Sequence, residues 1–282
     1  MSNEPARSYA IAEDLGTVLD IERLDRDLFR GLHGTNAELR ASLFGGQIAA
    51  QALMAAGRTI DPDRHPHSLH GYFLRPGRPD RAVLLAVDRD RDGHSFSSRH
   101  VAAVQEGEVI FSMLASFHVD EPGAEYDAVP DELTDLDEMV EGRNFLLDIR
   151  APQPLIQDGV PTFPTALWLR SAHKLPDDRL TQAAALTYVS DLGSGFGQVH
   201  VEGLPIGGPS IDHAVWFHAP IRIDEWVQLR VWPIKAGGSR GVYQGAVRDR
   251  AGRLGATLAQ EMLLRAKGDF VRRAPGMRPP PS

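Results

Sequence analysis

Gly237, Ser239 and Gly241 stand in the stretch AGGSRGVY with the G-x-S-x-G spacing of a hydrolase nucleophile elbow. Such an elbow exposes a serine between a strand and a helix and needs a triad histidine further along the chain. Here VYQGAVRDRAGRLGATLAQ follows, strand-like and broken by turns, and no histidine occurs after His218. The spacing therefore predicts a turn entering a strand, and chemistry without a serine nucleophile. DRDRDG at 88–93 opens like a calcium loop, but the position that must offer a bidentate carboxylate is Arg99, which leaves a charged hairpin turn. In HPHSLH, strand alternation would put His65 and His67 on one face and His70 on the other, with no carboxylate close in sequence, so no metal site is expected. GSGFGQ at 193–198 ends in Gln198 where a dinucleotide fingerprint has glycine, and it lacks the strand before and the helix after.

The 282 residues include no cysteine, which excludes disulfides, thiolate nucleophiles and sulfur-ligated metals. A formal charge of -8 argues against nucleic acid or an anionic membrane as partner. No segment reaches the roughly 18 uninterrupted apolar residues of a membrane helix. MSNEPARSYAIAEDLG has no apolar leader core and the final RPPPS matches no address signal, so a cytoplasmic location is expected. With 42% hydrophobic residues the chain can fill a sizeable core.

What must position any site is a repeated unit. YFLRP at 72–76 aligns with WFHAP at 216–220, a shift of 144 residues, and the same shift aligns 92–105 with 236–249 and 112–117 with 256–261. Two similar halves follow. In the first, GGQIAAQALMAAGRTI (45–60) has helical spacing with small residues that permit close packing, then β-like runs near 67–75, 81–89, 95–105 and 109–119. In the second, DDRLTQAAALTYVSDLG opens with acidic residues suited to a helix N-terminus, and runs near 210–219, 225–234, 239–249 and 254–266 read as strands. The short gaps suit antiparallel neighbours, so each half reads as a long helix laid on an antiparallel sheet. The boundaries expected are 1–118 for the N-terminal repeat, 119–165 for an acidic linker, 166–270 for the C-terminal repeat with the active site, and 271–282 for a disordered tail.

LFGGQIAAQAL (43–53), HSLHGYFLRPG (67–77), DGHSFSSRHVAAVQEGEVIFSMLASF (92–117), SIDHAVWFHAP (210–220) and ATLAQEMLLR (256–265) together resemble the acyl-CoA thioesterase II family. The resemblance implies an α+β chain of two fused hotdog folds, each a long helix packed on a curved antiparallel sheet. It also implies catalytic groups at Asp191 in YVSDLG, Ser210 in PSIDHAVWF and Gln260 in TLAQEM, with serine standing in the family's threonine place. Serine keeps the hydroxyl but loses the methyl that restricts its rotamer. A thioester carbonyl is open to direct attack by water: a carboxylate takes the proton while a hydroxyl and an amide hold the water. Backbone N–H groups near a helix end are the expected oxyanion donors.

The residue types agree with that assignment. An aspartate within an apolar helix stripe is costly to bury without partners. At the shift of 144, Ser116 stands opposite Gln260 and Pro66 opposite Ser210, and neither alignment of the helices gives Asp191 a carboxylate counterpart, so one active site per chain is expected, in the second half. Asp212 and His213 are strand neighbours facing opposite sides and do not read as a dyad, and His218 reads as a packed strand histidine. Arg75, Arg99 and Arg240, at strand ends or turns, are candidates for the coenzyme A phosphates; Phe196 and Trp216 are candidates for an apolar acyl slot beside the second helix. The expected activity is hydrolysis of acyl-CoA to free fatty acid and CoA, without cofactor, by a homo-oligomer joined through sheet edges. The alternatives are a hotdog enoyl-CoA hydratase or dehydratase, whose histidine should follow the aspartate by five residues whereas the first after Asp191 is His200, and a non-catalytic acyl-CoA-binding protein.

Overall fold

The computed structural model describes residues 10–31, 33–34, 42–129, 132–143, 146–152, 156–157, 160–161, 163–205 and 207–265. The expected disordered tail, 271–282, lies outside the described residues. In chain order, β1 (Ala10–Ile11), α1 (Leu15–Leu19), β2 (Ile21–Asp25), β3 (Leu28–Gly31) and β4 (His33–Gly34) precede a long helix, α2 (Gly45–Gly57). Strands β5 (Arg64–Phe73), β6 (Val83–Asp92), β7 (Phe96–Gln105) and β8 (Glu108–Val119) complete the first half. The second runs through β9 (Val140–Arg143), β10 (Leu147–Ala151), β11 (Ile156–Gln157), β12 (Val160–Pro161), β13 (Ala166–Ser171) and α3 (Arg179–Ser190). It ends in β14 (Asp212–Phe217), β15 (Val227–Gly237), β16 (Arg240–Asp249) and β17 (Leu254–Leu263).

Thirteen strands form one sheet in the order β2-β3-β6-β7-β8-β5-β14-β17-β16-β15-β13-β10-β9. From the central β5–β14 seam the order reads alike in both directions: β8 answers β17, β7 answers β16, β6 answers β15. The seam itself is antiparallel, with His213 opposite Gly71 and Trp216 opposite Ser68. Helices α2 and α3 pack side by side against one face and run in opposite directions, since Gly46 abuts the Tyr188 carbonyl while Gly57 abuts the Leu180 side chain. Small residues permit this approach: Ala49, Ala52, Ala56, Ala184 and Ala185 are fully buried. Asp178 caps α3, its carboxylate accepting from Thr181 N–H at 2.8 Å. Among the described residues no helix is long and apolar enough to cross a membrane.

Three local readings are refined. Gly238 and Ser239, at φ 58° and 60°, form a two-residue turn between paired Gly237 and Arg240; two central residues with positive φ match the twist of a hairpin. The G-x-S-x-G spacing is thus a hairpin and no elbow. A bulge between Pro66 and Ser68 breaks the alternation of β5. It turns His67 and His70 to the same, outer face, where His67 meets Ser116 and His70 meets Asp212. The segment 119–165, read as a linker, also builds sheet: β10 pairs with β13 and β9 with β10, and Leu146 and Leu147 are buried. Its acidic composition hid the strands because an acidic residue there is a sheet partner, Asp148 accepting from Arg170 Nε at 3.0 Å.

Gly71, opposite His213, is held to glycine by packing: a Cβ there would lie 2.2 Å from the Phe111 ring, itself fully buried. Gly71→Ala is expected to destabilise the fold by about 1–3 kcal/mol through overpacking, read as a lower urea midpoint at an unchanged m-value.

Candidate active site

Where α3 ends, Asp191 is its C-cap residue, with φ -91° and ψ 9°, one step past the helical stripe in which the sequence placed it. Antiparallel packing brings this cap against the first turn of α2. Gly45 and Gly46 allow the approach, since a Cβ on Gly45 would lie 2.7 Å from Asp191 Oδ2. The Gly46 N–H donates to the carboxylate, so the buried negative charge sits at the positive end of a helix of 13 residues. The glycine pair of LFGGQIAAQAL is therefore part of the site, a role that composition and periodicity did not suggest.

Two further elements close on Asp191. Ser210 forms an isolated bridge with Met262 just before β14, and Gln260 lies on the inner face of β17. Ser210 Oγ donates to Asp191 Oδ1 at 3.4 Å and accepts from Gln260 Nε2 at 2.5 Å. Three side chains distant in sequence thus form one hydrogen-bonded chain. They open on a cavity of about 870 Å³ whose other walls include Leu43, Phe44, Ile48, Phe73, Met262 and Leu263. A mostly apolar cleft with a few convergent polar groups suits a ligand with a long apolar part and one reactive polar centre.

The electrostatics follow from burial. Desolvation raises the Asp191 pKa above the usual carboxylate range, against opposing contributions from His213, Gln260, the Gly46 N–H and Ser210. Desolvation likewise holds His213 below the ordinary histidine range, although Asp191 and Gln260 oppose it. Tyr243, paired with Gln260 across β16 and β17, has its phenol pushed well up, first by burial and then by the charge of Asp191, and its hydroxyl finds no hydrogen-bond partner among the described residues.

His213 was missed by sequence reasoning. Its neighbour Asp212 does face the other way, accepting from Glu261 N–H at 2.7 Å and meeting His70, so the dyad is absent. Yet the fully buried His213 ring joins Ser190 Oγ at 2.8 Å to Gln260 Oε1. The available signal was its inward register on the strand that follows Ser210.

The ligand-contact candidates divide. Arg75 lines the cavity, pairing with Glu108 at 2.9 Å. Arg240 is exposed beside the hairpin and pairs with Glu261 at 2.9 Å. Arg99 cannot meet a phosphate: it is 1% exposed, its guanidinium bonded to Thr59, Asp92 and the carbonyls of Arg91 and Ser98. Strand position alone did not reveal that its side chain points inward. Trp216 is 45% exposed on the outer face, opposite Ser68 and Thr257, and so lies away from the cavity. Phe196 is buried against Gly241 and does not line the cavity.

Comparison with known proteins bears on this arrangement. Residues 34–118 match the acyl-CoA thioesterase N-terminal domain and residues 124–264 the acyl-CoA thioesterase C-terminal domain. The chain belongs to the acyl-CoA thioesterase family. Human acyl-coenzyme A thioesterase 8 is 35% identical over 286 residues, covering 89% of this chain and 88% of that protein. The acyl-CoA thioesterase II TesB2 of Mycobacterium marinum is 36% identical with a TM-score of 0.71, covering 94% of this chain and 99% of that one. A hot dog fold protein of unknown function from Alicyclobacillus acidocaldarius, 19% identical, superposes with a TM-score of 0.70 over 89% of this chain and 98% of that one. The thioesterase is thus an acyl-CoA thioester hydrolase with an α+β hotdog fold.

Asp191 carries two pH-linked expectations. If its carboxylate must be ionised, the acid limb of kcat/KM will lie above the value of about 4 for a free aspartate; a limb at or below that value contradicts the role. Because the folded pKa is raised, the unfolded chain releases this proton first, and stability contributed at low pH is lost from about pH 4 upward through the folded pKa. The Asp191→Asn thioesterase is therefore expected to melt at or above the wild-type temperature at pH 7, the difference closing below about pH 4, as followed by thermal melts across pH.

Proposed function

We propose that the thioesterase cleaves its substrate by direct attack of water, with Asp191 as general base and Ser210 and Gln260 holding the water. The observation that carries this reading is the continuous hydrogen-bonded chain from Gln260 through Ser210 to Asp191 at the wall of an apolar cavity. A raised carboxylate pKa suits a general base, since it makes proton acceptance more favourable near neutral pH. The acyl group lies in the cavity, with its thioester carbonyl against the first turn of α2. There Gly45 N–H, at the first helical position, has no acceptor within the helix and serves as oxyanion donor. Arg75 at the rim is the nearest fork for a coenzyme A phosphate among the candidates.

In this reading the chain is two fused hotdog repeats with a single active site, made by the second repeat with α2 of the first as its anion-binding end. Association through sheet edges makes a homo-oligomer in this reading. The hydratase alternative calls for a histidine five residues after Asp191, where Phe196 stands; the first histidine on that loop, His200, is nine residues on. His213 turns its two nitrogens to Ser190 and Gln260, so neither is free to shuttle a proton to substrate.

Thiol release over a panel of acyl-CoA chain lengths tests the proposal. Asp191→Asn should reduce kcat by about 10²–10⁴-fold, with Ser210→Ala and Gln260→Ala each losing about 10-fold or more. Wild-type turnover in Asp191→Asn would remove the base. Loss of enoyl absorbance from crotonyl-CoA without free thiol would instead favour the hydratase.

A further inference from the structure

We propose that His213 is a positioning residue whose Nδ1–H, donated to Gln260 Oε1, fixes which end of the carboxamide faces the reaction. The inference rests on the site reading above and extends it to a residue that touches neither water nor substrate.

A glutamine side chain ends in two groups of nearly equal shape and opposite hydrogen-bonding sense. Only with Oε1 turned away can Nε2 donate to Ser210 Oγ, and only then is the serine hydrogen left for Asp191. The reverse orientation would set a carbonyl oxygen against the hydroxyl that serves a carboxylate, and the donor sequence would stop at Ser210. Something must choose between the two. Oε1 faces His213 Nδ1, and a carbonyl oxygen can only accept, so the proton sits on Nδ1. The other ring nitrogen meets Ser190 Oγ at 2.8 Å, a hydroxyl that also lies 2.9 Å from the Thr187 carbonyl. Ser190 is the last residue of α3 and immediately precedes Asp191. One imidazole therefore ties the helix end that presents the base to the strand that presents the amide, and does so from the strand that follows Ser210.

The internal repeat supplies the independent argument. At the shift of 144 residues His213 stands at the position held by Leu69 in the first half, and Ala214 at that of His70, which it faces across the seam. Ala214 pairs with Ala259, whereas His70 pairs with Leu114, so Gln260 answers Ala115. In the half without a site, the same inward-facing pair is Leu69 with Ala115, both buried. An apolar pair thus satisfies the fold at this place. Replacing a buried polar pair with well-packed apolar groups is commonly neutral or stabilising, so the fold gives no reason to keep histidine and glutamine here; the reaction does.

The test measures kcat, KM and melting temperature for His213→Leu, His213→Asn, Gln260→Ala, Asp191→Asn, and each His213 change combined with Gln260→Ala. His213→Leu should lower kcat by about 30–100-fold with KM within about threefold, the mark of an interaction used in turnover rather than in binding. In the Gln260→Ala background it should add no further loss, since a residue that acts through the amide has nothing left to act on. The double variant copies the Leu69–Ala115 pair and should melt at or above the wild-type temperature. His213→Asn, whose amide N–H can replace Nδ1–H, should turn over at least about 10-fold faster than His213→Leu. Should His213→Leu fail to fold alone, His213→Met fills the same space flexibly and takes its place in each comparison. Near wild-type kcat in the apolar variant, an undiminished loss on top of Gln260→Ala, or equal losses for asparagine and leucine would each overturn the role. Wild-type turnover in Asp191→Asn would overturn the site reading itself; a dead Asp191→Asn beside an unaffected His213→Leu removes only the role given to His213.

Discussion

A carboxylate taken out of water must be met by donors, and around Asp191 each comes from a different stretch of chain: the first turn of α2, the bridge residue Ser210, and Gln260 on β17. That requirement orders much of the architecture. The positive end of α2 can reach the charge only if α2 and α3 lie antiparallel and close, which the alanine-rich faces of both helices permit. It can touch the charge only if the first turn has no side chains in the way, which Gly45 and Gly46 ensure. Helix α2 belongs to the first half and Asp191 to the second, so neither half contains the site alone.

The two halves differ where chemistry would require it. Arg99 occupies on β7 the place of Tyr243 on β16, as their pairings with Ala115 and Gln260 show. Its guanidinium is consumed by Thr59, just past the end of α2, and by Asp92. The C-cap of α2 is Arg58 where α3 has Asp191, and Pro66 stands opposite Ser210. A carboxylate, a hydroxyl and a carboxamide in one half thus face an arginine, a proline and an alanine in the other. The first half keeps the fold and gives its polar capacity to internal bonds; the second leaves Asp191, Ser210 and Gln260 on a cavity wall.

Much of this was legible in the sequence. Apolar spacing located both long helices, and strand-like runs between turn residues, repeated at the shift of 144, located all eight long strands, because helix and strand periods and turn residues are local properties. What local properties do not contain is where a side chain points after a bulge or across a seam. The extra residue in β5 moved His67 to the face of His70. An offset that grows by one residue between the central strands and their neighbours made Ala115, not the outward Ser116, the counterpart of Gln260. Arg99 and Trp216 were misread for the same reason, since residue type suggested a phosphate fork and an acyl wall while strand register sent one inward and the other out. His213 was set aside because its dyad with Asp212 fails; its actual partners, Ser190 and Gln260, lie 23 and 47 residues away in sequence.

Serine at position 210, where the resembling family has threonine, can be weighed in the same terms. A threonine methyl restricts the hydroxyl by limiting χ1. Here the hydroxyl oxygen is held from two sides, accepting from Gln260 Nε2 and donating to Asp191 Oδ1. A rotamer that broke either bond would leave a buried donor or acceptor unmet, at about 1–3 kcal/mol. That penalty is comparable with a rotamer preference, so hydrogen bonding can replace the missing methyl as long as Gln260 keeps its orientation. The orientation of one amide therefore bears on two corners of the site, and the imidazole behind it becomes more important in a chain with serine than it would be in one with threonine.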